Sequence, residues 1–167
     1  MSVVEGVTWV SDTSSIVEVR RLTNVDPLKV LKSMEALVNS GRLVFPREVL
    51  SELKRMEGRR SPDHPLIWAK RCEAKACEKT PSLEEVKEVL QVVPKVLDPN
   101  KDSGVEEADP YVLAMARRLR REGRTDVRII TQEKKDSAAK ISLSTASGML
   151  GLASVPLLGF LELEGIV

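Results

Sequence analysis

The apolar residues of this chain fall into short runs and helical stripes that alternate along its length. Val7 to Ser11 is a β-type run, followed at once by Asp12-Thr13-Ser14-Ser15, whose oxygens can cap a helix. Asp26-Pro27 opens a helix that runs to Asn39, Gly41 stops it, and Leu43 to Phe45 is a brief apolar strand. Pro46 begins a helix through about Glu57, which Gly58 ends. From Gly58 to Asn100 the chain is charged and helical, punctuated by Pro62, Pro65, Pro81 and Pro94. Within that stretch Val86, Val89, Leu90 and Val93 recur at the spacing of one helical face. Pro110 opens a strong helix in which Val112, Met115, Ala116 and Leu119 repeat the same period. Val127 to Thr131 is a second clear β run. A helix from about Ser142 to Leu150, a strand from Leu152 to Val155 and a last helix from Pro156 follow it.

Strands alternating with helices predict an α/β domain on a small, mostly parallel sheet. With 167 residues and no repeat, low-complexity tract or linker, residues 1–167 are expected to form one domain. The charged helical segment at about 58–100 belongs to it.

Composition narrows the chemistry more than the fold. Lys and Arg number 26 against 25 Asp and Glu, a net charge of +1, which excludes a uniformly basic nucleic-acid binder but leaves local patches open. One His and two Cys argue against His-rich catalysis, a zinc ribbon and a disulfide framework. Cys72 and Cys77 are spaced for neither a metal clip nor a redox pair and read as reduced thiols. Met1 to Gly6 carries no signal-peptide pattern and no run approaches the roughly 18 apolar residues of a membrane span, so the expected location is the cytoplasm. Chemistry is left to carboxylates, hydroxyls, Lys and Arg.

Four carboxylates stand at positions where an α/β sheet binds ligands. Asp12 and Glu133 lie just past the carboxyl ends of the two clearest strands, where open parallel sheets take their ligands. Asp109 precedes Pro110 on the side of that helix's buried stripe, and Glu52 falls at the edge of the stripe formed by Val49, Leu53 and Met56. Each has a plain structural explanation. Asp12 and Asp109 suit helix N-caps, Glu52 can cover apolar surface with its stem, and Glu133 can be an ordinary loop acid. Gathered in one cleft, the four would instead raise each other's pKa or recruit a hard cation such as Mg²⁺ or Mn²⁺. Such an ion lowers the pKa of a bound water and polarises a phosphoryl oxygen, giving phosphodiester hydrolysis without His, Cys or a Ser nucleophile.

The residues that carry these acids also occur in a familiar order. Ser11-Asp12-Thr13-Ser14-Ser15, Glu52 in Val49-Leu50-Ser51-Glu52-Leu53, Ala108-Asp109-Pro110-Tyr111-Val112-Leu113-Ala114-Met115-Ala116, and Ile129-Ile130-Thr131-Gln132-Glu133 together resemble the PIN-domain ribonucleases. The closing Leu152–Val155 strand and Pro156–Ile166 helix look like that family's ending, and the likeness spans nearly the whole chain. The subgroup it looks closest to is the bacterial and archaeal one allied to VapC-type toxins. The resemblance implies a PIN-like, Rossmann-like three-layer α/β/α sandwich. It also implies an acidic cluster for Mg²⁺ or Mn²⁺ and endonucleolytic cleavage of RNA by an activated water. Carried over, Asp12, Glu52 and Asp109 hold the three principal acid positions. Thr13, Ser14 or Ser15 supports the first acid, and Thr131 lines the strand end. The fourth position departs from the pattern: many members carry Asp where this chain has Gln132-Glu133, and Asp136 is the alternative. The partners implied are an RNA substrate, an antitoxin protein and a second copy of the chain, with no membrane.

Basic residues mark where RNA phosphates would lie. Lys54, Arg55, Arg59 and Arg60 adjoin Glu52, and Lys134 and Lys135 flank Glu133. Arg117, Arg118, Arg120, Arg121 and Arg124 cluster at the end of the Pro110 helix, where cations also complement the helix dipole without any ligand. Aromatic content is 3%, too low for extensive base stacking. Trp9 is expected in the core, and His64 in a Pro-flanked loop at the surface. Two other readings compete: a catalytically degenerate PIN-fold module that binds RNA or protein, and a phosphatase with Asp12 as nucleophile. The second is disfavoured because Ser14 stands where a haloacid-dehalogenase-like enzyme carries its second Asp.

Overall fold

Thr8–Ser11 forms the first strand (β1), and all of its side chains are buried. Burial on both faces is what a strand shows when helices cover a parallel sheet on either side. The computed structural model of the chain describes residues 6–56, 63–97 and 107–167. Met1, Glu57, Gly58, Arg59, Arg60, Pro62 and Asn100, named above, lie outside them. β1 pairs in parallel with Leu43–Val44 (β2) and with Val127–Ile130 (β3), and β3 pairs in parallel with Ala153–Val155 (β4). The sheet order is β2-β1-β3-β4, so the expected mostly parallel sheet is parallel throughout. Helices flank it in the three-layer α/β/α arrangement of Rossmann-like folds.

This order places a topological switch point between β1 and β3. The chain leaves β1 to build β2 on one side, then returns to build β3 on the other. The two connections diverge at that seam, and the crevice opens at the strands' carboxyl ends. Register sharpens the placement: Ser11 lies opposite Ile130, so Asp12 and Thr131 leave the sheet side by side. The Asp12 backbone N–H donates to the Ile130 carbonyl at 3.1 Å, and the Thr131 N–H to the Val155 carbonyl at 3.0 Å.

The helices follow the local signals. Thr13–Glu18 (α1) starts on Asp12, and Pro27–Asn39 (α2) starts on Asp26, whose side chain accepts the Leu28 N–H at 3.0 Å. A positive φ of 79° at Gly41, costly for any side-chain-bearing residue, turns the chain out of α2 into β2. Arg47–Arg55 (α3) follows Pro46 and buries Val49, Leu50 and Leu53. The charged segment resolves into His64–Ala76 (α4), packed on α2 and α3, and Leu83–Val92 (α5), packed on Asp109–Arg121 (α6). α5 opens with a Ser82–Glu85 capping box and buries Val86 and Val89, with Val93 buried just past its end. α6 buries Val112, Met115, Ala116 and Leu119 against β1 and β3. Leu143–Met149 (α7) and Leu157–Leu163 (α8) complete the described elements. His64 corrects one expectation: it opens α4 rather than sitting in a loop. Pro65 in the first turn and the Asp63 side chain, which accepts the Leu66 N–H at 3.3 Å, make the Pro-flanked stretch a helix start.

Trp9 is fully buried and meets Phe160 edge-on at 5.0 Å. Its indole N–H donates to Glu164 at 3.1 Å, and Arg42 Nη2 bonds the same carboxylate at 2.6 Å. This satisfies the core's polar atom at the sheet end opposite the crevice. Among the described residues no helix is long and apolar enough to cross a membrane.

Candidate active site

Asp12 is 2% exposed and serves two purposes with two oxygens. Oδ1 accepts the Ser15 backbone N–H at 2.8 Å and so caps α1. Oδ2 faces the crevice and accepts the Ser14 hydroxyl at 2.8 Å and the Thr131 hydroxyl at 2.5 Å. Burial pushes the Asp12 carboxyl above its ordinary pKa, and the hydrogen bonds from Thr131, Ser15 and Ser14 oppose that rise. Ser14 and Thr131 also organise the strand end: Ser14 Oγ accepts the Gln132 N–H at 3.1 Å, and Thr131 Oγ1 accepts the Glu133 N–H at 3.0 Å. Gln132 is itself occupied, its side-chain oxygen taking the Leu157 N–H at 2.6 Å where Pro156 offers no side-chain cap.

Glu52 reaches inward from α3. Its Oε1 accepts the Thr13 hydroxyl at 2.5 Å and its Oε2 the Ala108 backbone N–H at 3.4 Å, tying α3 to α1 and to the start of α6. Thr13 therefore supports the second acid, not the first. Asp109 is the first residue of α6 and not its cap; Ala108 takes the N-cap position with no side-chain bond. That leaves the Asp109 carboxylate for the crevice, where Oδ2 accepts the Lys140 ammonium at 3.1 Å. The same ammonium donates to Glu133 Oε1 at 2.8 Å. Burial, then the nearby Glu133 charge, push the Asp109 carboxyl up to about 8; Lys140 pulls it down and Asp12 adds to the rise. For Lys140, burial favours the neutral amine, but the charge of Asp109 and the Glu133 bond outweigh it and raise the group above the ordinary lysine value.

Asp12, Glu52, Asp109 and Glu133 line one cavity of about 620 Å³, with Thr13, Ser14, Gln132 and Lys140 beside them. Glu18 and the buried Glu107 also line it, as do Val17, Met56, Arg55 and Arg21, whose guanidinium pairs with Glu18 at 3.2 Å. The sequence reading missed Lys140, Arg21 and Glu107. Lys140 has no periodicity or capping signal around it, and Arg21 reaches the cavity only because the turn Val19–Arg21 folds α1's end over it. Asp136, the alternative fourth acid, does not line this cavity. Its Oδ1 accepts the Ser142 N–H at 2.8 Å and the Thr145 hydroxyl at 2.9 Å at the start of α7, and those bonds hold its carboxyl below the ordinary value.

The basic residues divide in the same way. Arg55 lines the cavity, while Lys54, Lys134 and Lys135 are exposed and do not. The arginines of α6, and Arg124 just past it, are engaged within the fold: Arg121 and Arg117 with Glu88, Arg118 with Glu122, Arg120 with the Gly151 carbonyl, and Arg124 with the Thr8 hydroxyl.

Carboxylate and hydroxyl oxygens suit a hard divalent cation, so the donor chemistry of the cavity fits Mg²⁺ or Mn²⁺. Among the described residues, no three His, Cys, Asp or Glu side chains are already gathered as a metal-holding group. Each acid is held instead by a donor of the protein: Asp12 by hydroxyls, Glu52 by Thr13, Asp109 and Glu133 by Lys140. No curated protein matches the chain. Residues 9–167, from within β1 to beyond α8, match the family described as a domain of unknown function, DUF4411, and the chain belongs to that family.

Proposed function

We propose that this protein is a Mg²⁺- or Mn²⁺-dependent endoribonuclease of the PIN-domain kind, hydrolysing RNA phosphodiester bonds with a metal-activated water. One observation carries the reading. Asp12, Glu52, Asp109 and Glu133 come from four separate elements, and all line one cavity at the switch point of a parallel sheet. Four carboxylates in one cavity are electrostatically unfavourable on their own; Asp109, pushed up to about 8 chiefly by burial, is raised further by the Glu133 and Asp12 charges. A bound divalent ion would relieve that conflict, activate a water and offset charge on the scissile phosphate.

The chain's own groups have distinct tasks in this mechanism. Asp12, locked by Ser14, Ser15 and Thr131, is the rigid acid at the centre. Glu52 is aimed by Thr13 from the opposite wall, and Asp109 and Glu133 complete the oxygen set. Arg55 and Arg21, which line the same cavity, would bind the phosphates flanking the cut and orient the strand. The low aromatic content leaves selectivity to shape and backbone contacts. The same reading puts the protein in the cytoplasm and makes a toxin role, with an antitoxin protein as inhibitor, the context to examine.

A second reading, a PIN-fold module that binds RNA or protein without cutting, is favoured by a different observation. The Lys140 ammonium already bridges Asp109 and Glu133. One experiment separates them: incubate a mixed RNA pool with the protein and Mn²⁺, alongside Asp12→Asn and Asp109→Asn variants. The nuclease reading expects cleavage by the wild type, abolished by EDTA and by either substitution. Intact RNA with no metal binding by the wild type supports the binding module.

A further inference from the structure

We propose that Lys140 is a built-in counter-cation that competes with the divalent ion for Asp109 and Glu133. Metal loading then requires its ammonium to leave them. The inference rests on the metal-dependent reading above but concerns a residue to which that reading assigns no task.

The geometry is specific. Lys140 Nζ lies 3.1 Å from Asp109 Oδ2 and 2.8 Å from Glu133 Oε1, bridging an acid at the start of α6 and one after β3. Its side chain is 22% exposed, between carboxylates that are 16% and 30% exposed, so solvent screens the pairing only in part. A divalent ion held by these two oxygens would stand where the ammonium now stands. Two cations cannot share that space, so one must give way. The residues around Lys140 allow the side chain to be the part that moves. Its backbone is pinned: its carbonyl accepts the Ser137 N–H at 2.7 Å, and its N–H donates to Ser137 Oγ at 3.1 Å. The next residue's N–H bonds the Lys95 carbonyl at 2.9 Å, and Ser142 N–H bonds Asp136 at 2.8 Å. A long flexible stem on a fixed loop can swing out of the cavity without unfolding anything. In the metal-free protein the same ammonium keeps two nearby carboxylates from repelling one another.

The test compares Mn²⁺ binding by isothermal titration calorimetry for the full chain and its Lys140→Gln and Lys140→Arg variants, all chelator-treated, with circular dichroism to confirm folding. The expected result is that Lys140→Gln binds Mn²⁺ about tenfold or more tightly than wild type, the scale of one close opposite charge. It should also melt lower without metal, while Lys140→Arg stays near wild type. A wild type that binds nothing beside a Lys140→Gln variant that binds supports the proposal more strongly still. Equal or weaker binding by Lys140→Gln overturns it and leaves the metal reading standing; no binding by any of the three overturns both. A second measurement needs no variant. In wild type, acetylation of Lys140 read by mass spectrometry should be slow without metal and rise several-fold with saturating Mg²⁺. Labelling that does not respond to Mg²⁺ overturns the competition.

Discussion

The Thr131 hydroxyl donates to Asp12 Oδ2 at 2.5 Å and accepts the Glu133 backbone N–H at 3.0 Å, so one side chain couples the acid after β1 to the acid after β3. The first bond follows from the register that sets Ser11 opposite Ile130, and the second is a local turn within the loop after β3. Thr131→Val keeps the shape and removes the hydroxyl. The buried carboxylate loses a charge-assisted bond, at about 1.5–3 kcal/mol of folding stability in urea denaturation. Second-neighbour donors of this sort typically tune metal sites by about 10–100-fold, and that is the expected loss in Mn²⁺ affinity and in RNA cleavage. Thr131→Ser, which retains the hydroxyl, should recover most of it. Wild-type metal affinity in Thr131→Val would show that Asp12 needs no such orientation.

The cavity makes a different prediction through its arginines. Arg55 and Arg21 line it together with Val17 and Met56, and Arg21 is paired with Glu18 at 3.2 Å. If both contact phosphates, Arg21→Ala and Arg55→Ala should each weaken binding of a labelled single-stranded RNA several-fold. Each should also reduce the slope of log affinity against log salt by about one. Measured by fluorescence anisotropy in an Asp12→Asn background, nothing is cut during the titration. Mn²⁺ affinity, measured separately, should not change. An unchanged salt slope would remove that arginine from the RNA path.

The helices were legible because their signals are local. Val86, Val89 and Val93 are buried as their spacing implies, and Asp26-Pro27 starts α2 where a cap and a proline predict it. All four acids, Glu133 included, were legible from their places beside strand ends and a buried stripe, while the choice between Glu133 and Asp136 was left open. That choice depends on the Ser142 N–H and the Thr145 hydroxyl, which draw Asp136 into capping α7. Of the three hydroxyl residues read as support for the first acid, Ser14 and Ser15 bond Asp12 and Thr13 does not. Thr13 is next to Asp12 in sequence, but the roughly 100° step per helical residue aims its hydroxyl at Glu52 on α3. Lys140 was invisible because its partners lie 7 and 31 residues away and meet only when the loop after β3 folds back over the start of α6. The strand order is likewise a property of packing, since a strand as short as Leu43–Val44 does not announce which edge it will take.

The two cysteines test the packing of the charged segment. Cys72 is buried within α4 and Cys77 is buried as its C-terminal cap, and both are free thiols. Burial, with Glu35 nearby, raises Cys72 to about 11; burial, with Glu73 nearby, raises Cys77 to about 12. At pH 8 the thiolate fraction of a group at 11 is on the order of one in a thousand, and the thiolate is the reacting species. Native protein should therefore react with a thiol-specific disulfide reagent far more slowly than free cysteine, and both thiols should react at once in denaturant. Rapid labelling of the native chain would mean that α4 opens readily from α2 and α3.

The pH dependence of stability should carry the sign of the buried acids. Asp109 rises from an ordinary 3.8 to about 8 on folding, chiefly through burial, so between those values the native state holds a proton the unfolded state has lost. Stability falls with pH wherever the native state binds more protons, and the cost of ionising Asp109 is absent below about pH 4 and complete above about pH 8. Asp12, raised in the same direction by burial, adds to the trend. Lys140, raised above its ordinary value, contributes stability that is fully present below the unfolded lysine pKa and lost only above the window, so it leaves the slope unchanged. The lowered carboxyls of Glu122, paired with Lys79, and Asp136 contribute stability lost only as pH falls below about 4. The urea midpoint of the chelator-treated protein should therefore fall steadily from pH 5 to pH 8. Asp109→Asn should flatten that fall. Saturating Mg²⁺, which favours the ionised acids, should oppose it and release protons measurable by calorimetry in buffers of different ionisation enthalpy. A midpoint that rises over pH 5 to 8 without metal would mean Asp109 is ionised throughout, its pairing with Lys140 outweighing its burial.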